Sequence, residues 1–319
     1  MKKSLLLSLL IPLLWSGVAF SQNNTGSGLK LLEIEPSASE MARAGTRFAV
    51  PNGAASIFSN PALLTLDRNS SINLSYTNWL LDSNNLFGGI NLRKGKRAVA
   101  FAFYTAGDDG FEQRDQPGES NGNFSISYLA ISGAFSYDFD YFTAGISGHY
   151  LNEDIYLYRA NGYAVNLGLA SSLFNDRVTI GTSVINLGEM EEINQQATEL
   201  PSSFNIGISA DLFEFVHAKK EDLPILVSVM ADFVSPFDAQ SSNNGYTDFN
   251  PDENYFNFGM TLQVSGVVEV SGGYKTGDNT RPLSFGLGVI TEKVNFNYAL
   301  VPFNTGFGTV HSVGIQYQL

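Results

Sequence analysis

The chain of 319 residues contains no cysteine, which excludes a disulfide framework and a lipid-bearing N-terminal cysteine. Charge is also scarce. Asp, Glu, Lys and Arg make up 15% of the residues, where soluble domains carry ~25%. Basic residues are outnumbered 18 to 31, for a formal charge of −13. Nucleic acid is therefore not an expected partner, because a phosphate backbone needs a basic surface. Histidines number three, His149, His217 and His311, and they read as ordinary polar or interfacial residues. His311 has Ser312 beside it, but neighbours on a strand point to opposite faces and cannot form a nucleophile and base. No phosphate-binding glycine motif and no histidine-based metal pattern occurs. Asp248-Phe249-Asn250-Pro251-Asp252 has the opening spacing of a calcium loop. Glu253 stands where glycine is needed and Gly259 where the bidentate Glu belongs, so a solvated acidic loop is the expectation. Neither enzyme chemistry, cofactor nor metal is expected.

What is present is Gly (31), Phe (24) and Tyr (14). The first residues read as a secretory signal: Met1-Lys2-Lys3, then the apolar run SLLLSLLIPLLWSGVAF, then small residues around Ala19-Phe20-Ser21. Cleavage after Ser21 is expected, giving a mature chain from Gln22 with 16 basic and 31 acidic residues, a charge of −15. An exported chain without disulfides must hold itself together by burial or by a closed ladder.

Beyond residue 70 the pattern has a period of two. Ile72, Leu74 and Tyr76 alternate with Ser71, Asn73, Ser75 and Thr77, and Val313, Ile315, Tyr317 and Leu319 alternate with Ser312, Gly314, Gln316 and Gln318. Strands are expected near 70–78, 85–94, 96–106, 124–137, 141–151, 161–173, 176–186, 203–212, 224–234, 255–264, 267–276, 282–291, 293–300 and 309–319. Fourteen segments of this length suit an antiparallel outer-membrane β-barrel, all-β and transmembrane. Connections alternate between tight turns and long polar loops, the latter at 107–123, 188–202 and 235–254; one turn-side connection, 214–222, is long. The barrel spans 70–319, and its small polar face predicts a lumen lined by Gly, Ser, Asn, Thr and Gln. Tyr76, Trp79, Phe103, Tyr104, Tyr128, Tyr150, Tyr156, Tyr158 and Tyr298 sit near strand ends, where girdle aromatics belong.

Residues 22–69 precede the first strand and are expected to form a helical plug, since a barrel of this width leaves a lumen to fill. Ser37 and Glu40 have capping-box spacing and Gly45 suits a helix stop, giving one short helix across Arg43. Asn60 and Pro61 suit the cap and first position of a second, running through Ala62 and Leu63. Replacing Asn60 by Ala is expected to cost ~1 kcal/mol of plug stability from the cap alone.

The run from Ser37 through Met41-Ala42-Arg43-Ala44-Gly45-Thr46, followed by Ala54-Ala55-Ser56-Ile57-Phe58-Ser59-Asn60-Pro61-Ala62-Leu63-Leu64 and then barrel strands, resembles the PorV/PorQ family. Those are outer-membrane barrels of the FadL superfamily, and the Asn60 to Leu64 form leans toward the PorQ side. The resemblance implies a non-enzymatic component of type IX protein secretion. Its partners would be the C-terminal domains of secreted cargo or attachment-complex proteins, beside outer-membrane lipid. The alternative is a FadL-like channel for hydrophobic solutes, for which a polar lumen would be a poor lining.

Overall fold

A computed structural model describes residues 29–80, 83–113, 122–192, 200–215, 224–237, 254–304, 306 and 308–319. The signal segment, His217 and the calcium-like stretch 248–252 lie outside the described residues, as do the centres of the three long loops. Fourteen strands form one sheet: β1 (Ser71–Asn78), β2 (Asn84–Lys94), β3 (Arg97–Gln113), β4 (Gly122–Asp138), β5 (Thr143–Ile155), β6 (Tyr158–Leu173), β7 (Val178–Met190), β8 (Ser203–Phe215), β9 (Ile225–Pro236), β10 (Tyr255–Val264), β11 (Val268–Lys275), β12 (Leu283–Ile290), β13 (Val294–Pro302) and β14 (Thr309–Gln318). Every strand pairs antiparallel with its chain neighbours. The sheet closes where β1 meets β14, Ser71 opposite Gln318 and Asn78 opposite His311.

The alternation is turned inside out relative to a soluble protein. On β1 the polar Ser71, Asn73, Ser75 and Thr77 are buried, whereas Leu74 is 52% exposed and Ile72 and Tyr76 are exposed beside it. Phe101, Ile131, Phe135, Ile208, Phe258, Leu287 and Ile315 continue that outer face around the barrel. An apolar belt of this extent on a closed sheet is the surface a lipid bilayer covers. Among the described residues no helix is long and apolar enough to cross a membrane, and the closed sheet with its apolar outer face supplies the spans. The protein is an outer-membrane β-barrel.

Two connections differ from expectation. β3 and β4 remain paired as far as Gln113 opposite Gly122, so residues 107–113 and 122–123 belong to the strands and not to the loop. At 17 residues each, these strands exceed the ~9–11 needed to cross a bilayer. Polarity hid the extension: Gly107-Asp108-Asp109-Gly110 reads as loop sequence, yet the ladder resumes after a register shift between Asp108 and Phe111. Likewise β5 and β6 join through the two-residue turn Tyr156-Leu157, with Tyr156 in the left-handed region at φ 56°.

The lumen also departs from the expected polar lining. On β3 the inward residues are Ala98, Ala100, Ala102 and Tyr104, all buried. With Ala130, Leu151, Ala160 and Ala164 from β4 to β6 they make one wall of the lumen apolar. Asn73, Asn257, Ser271, Ser284 and Ser312 keep the β10 to β14 and β1 side polar. Tyr104 accordingly belongs to the lumen, not to the girdle.

Leu74→Arg places a charge on the lipid face and should destabilise the barrel by ~2–4 kcal/mol near the bilayer midplane. Denaturant unfolding in lipid vesicles measures this. A change within ~0.5 kcal/mol, usual for an exposed site in water, would contradict the lipid assignment.

Candidate functional site: the plugged lumen

Residues 29–69 lie within the barrel as four short helical pieces. They are a 3₁₀ turn Lys30–Glu33, the helix α1 (Ala38–Met41), and 3₁₀ segments Gly53–Phe58 and Pro61–Thr65. Ser37 caps α1 by accepting from Glu40 N at 3.3 Å. The Glu40 carboxylate bonds Asn52 Nδ2 at 2.9 Å, and the same amide donates to Ser37 Oγ at 2.7 Å. Gly45 follows the helix with φ 79°, its N–H donating to Glu40 O at 3.0 Å. The helix is shorter than the expected span to Ala44, because residues 42–44 continue only as turns. Arg43 is buried against the wall at β10 and β11.

Asn60 does more than cap. Its Oδ1 accepts from Ala62 N at 3.1 Å, with Pro61 in the first position, while its Nδ2 donates to Phe48 O at 2.9 Å and to Leu169 O on β6 at 3.1 Å. One buried side chain thus caps a helical turn, ties two parts of the plug and fastens both to the wall. Ala62 O accepts from Ser136 Oγ on β4 at 3.2 Å, and Leu63 packs with Ala62 and Ala170.

Close seating depends on missing side chains. A Cβ on Gly145 would overlap the Pro61–Ala62 backbone, one on Gly181 the Phe48 carbonyl, and one on Gly273 the Arg43–Ala44 backbone. These glycines face inward on three well-separated strands and let plug backbone lie directly on the sheet.

Charge adds two further fastenings. Asp232, on β9, accepts from the backbone N–H of Arg47 at 2.6 Å and of Phe48 at 3.2 Å. Arg281, in the connection between β11 and β12, reaches Glu35 of the plug at 3.6 Å and Asp278 at 3.2 Å beneath the ring of Trp79. Burial pushes the Glu35 carboxyl upward, but Arg281, Lys275 and Arg47 outweigh it and hold the group below the usual carboxylate range. For Glu40 burial wins over Arg47, Asn52 and Arg43, and its pKa is raised. Sequence reasoning missed Asp232, Asp278 and Arg281. For Asp232 a signal existed, since it is the one charge within Ile225–Pro236, and a charge inside a membrane strand marks a functional or structural contact.

The apolar wall faces the remaining piece of plug. Phe58 sits in an aromatic box formed by Phe87 at 6.2 Å, Tyr104 at 5.8 Å and His149 at 5.2 Å between ring centroids. Leu31 and Leu32 join the same cluster. Beside the box, Ser147 Oγ and Asn166 Nδ2 both donate to Ile57 O, at 2.9 and 3.0 Å. His149 bridges Ser132 Oγ at 2.8 Å and Ser147 Oγ at 3.0 Å. The His149 read as an ordinary strand residue is therefore a buried part of the lumen. His311, bonded to the Tyr298 hydroxyl at 2.7 Å, is at the surface. Among the described residues no cluster of His, Cys, Asp and Glu could hold a metal.

No protein-family model and no curated sequence relative matches the chain. Solved structures do. The chain is similar to the CymD monoaromatic hydrocarbon channel, with a TM-score of 0.58 at 11% identity, covering 92% of this chain and 99% of that one. It is also similar to the P. putida toluene transporter TodX, with a TM-score of 0.56 at 11% identity over 89% and 98% of the two chains. The fold is shared with hydrocarbon channels. At this identity the likeness concerns the fold alone.

Two measurements test the plug seat. Asn60→Ala should weaken docking by ~2–3 kcal/mol, the cap and two further hydrogen bonds together, and Gly181→Ala should unseat the plug without opening the barrel ladder. Both variants should show faster proteolysis within residues 29–69 and raised single-channel conductance, with barrel unfolding unchanged. The second measurement concerns pH. The docked Glu40 binds its proton more tightly than the ordinary value of 4.5, so its contribution to docking is full below that pH and is lost as pH rises through the elevated native value. Glu40→Gln should remove that slope, matching the parent protein near pH 4 and protecting the plug better near pH 8.

Proposed function

We propose that this barrel is an outer-membrane channel for small hydrophobic solutes, with residues 29–69 as its movable plug. The observation that carries the reading is the apolar wall of β3 to β6 with its aromatic box, an arrangement of apolar lining and few polar groups suited to binding an apolar molecule. The polar groups on this wall, Ser132, Ser147, His149 and Asn166, are few and hydrogen-bonded. The shared fold with CymD and TodX supports the same reading. It replaces the argument from a polar lining, which rested on strands such as β1 and β14 and does not describe β3.

An interaction scaffold in type IX secretion is the second reading. It is supported by the PorV/PorQ resemblance over residues 36–66, and the loop segments that would meet cargo lie largely outside the described residues. A gene deletion separates the two. In the source organism it should slow uptake of a radiolabelled monoaromatic hydrocarbon severalfold while export and surface display of C-terminal-domain cargo continue. Unchanged uptake with lost surface display would reverse the assignment.

A further inference from the structure

The plug presents two groups to the apolar wall side by side, the Phe58 ring and the Ile57 carbonyl. The ring fills the box of Phe87, Tyr104 and His149. The carbonyl takes the hydrogen bonds of Ser147 and Asn166. The direction of the polar chain follows from these bonds. Because Ser147 donates to Ile57 O, its oxygen must accept from His149, so His149 carries its proton on Nε2 and its bare Nδ1 accepts from the Ser132 hydroxyl. Ser132, His149 and Ser147 thus line up their dipoles toward one acceptor. Asn166 is held in the same orientation because its Oδ1 accepts from Asn186 N at 2.7 Å.

When residues 57–58 withdraw, this wall is left with an empty aromatic box and two oriented donors without an acceptor. Buried donors without partners are costly, and a plain hydrocarbon offers them nothing. We infer that the plug's Ile57 carbonyl and Phe58 ring occupy a solute subsite of the channel, and that its preferred ligand is an aromatic molecule bearing one hydrogen-bond-accepting oxygen. This rests on the channel reading and narrows its substrate class. A ring enters the box, and its carbonyl or ether oxygen takes the place of Ile57 O at Ser147 and Asn166.

The test uses acetophenone and isopropylbenzene, which share a ring and a three-atom branch and differ in the carbonyl. Barrel-dependent uptake is the initial rate in cells carrying the barrel minus the rate in cells carrying an empty vector. The full chain should favour acetophenone by about tenfold, the discrimination expected of two oriented donors. In Ser147→Ala, and independently in Asn166→Leu, the ratio should fall toward one, with heat-modifiable gel migration verifying a folded barrel. Equal uptake of both probes by the parent barrel, or a preference that survives in both folded variants, overturns the inference and leaves the channel standing. Absence of barrel-dependent uptake of either probe overturns the channel reading, and the inference with it.

Discussion

A sheet immersed in lipid cannot have an edge. Each unpaired N–H or C=O there costs several kcal/mol, so β1 and β14 must meet, and the pairing of Ser71 with Gln318 through Asn78 with His311 meets that demand. Closure at fourteen strands leaves a lumen too wide for strand side chains to fill. The filling comes instead from the segment ahead of β1, which lies inside the ring it precedes. The apolar exterior, the polar alternation on β1, the plug and the inward glycines all follow from that one requirement.

The plug is held by a few specific contacts on an otherwise small-residue wall. Asn60, Asp232 and the Glu35–Arg281 pair fasten it at separate places, and Gly145, Gly181 and Gly273 let its backbone approach. These fastenings are polar and scattered around the lumen, the one from Asn60 ending on β6, and the β3 to β6 side also holds Phe58, Leu31 and Leu32 by apolar packing. Such packing is non-directional, so the ring of another molecule can replace Phe58 there, provided Ser147 and Asn166 regain an acceptor. Breaking the Glu35–Arg281 pair would leave a buried charge.

Much of the architecture was legible because lipid and lumen impose opposite polarity on alternate residues. Ile72, Leu74 and Tyr76 against Asn73, Ser75 and Thr77 place β1 without help. The same logic failed on Ala98 through Tyr104. There both faces are apolar, with Ala98, Ala100, Ala102 and Tyr104 inward and Val99, Phe101 and Phe103 outward, so the apolar wall was invisible to a polarity pattern. Asn60 and Pro61 were readable as a cap because capping is local chemistry. The bonds from Asn60 to Leu169 and from Ser147 and Asn166 to Ile57 span 90 to 109 residues, and no local rule reports them. The hairpin beyond Gly107 was misread because pairing outside the membrane does not require apolar residues.

The central claim is that solute passes only when the plug moves from its seat in the lumen, and a reversible tether tests it most directly. The chain has no native cysteine, and a Cβ at Gly314 would lie 3.2 Å from that of Ala38, close to disulfide reach. In the double variant Ala38→Cys with Gly314→Cys, uptake of a monoaromatic hydrocarbon should stop on oxidation and return on reduction. Undiminished uptake through the oxidised, fully cross-linked barrel would contradict the account.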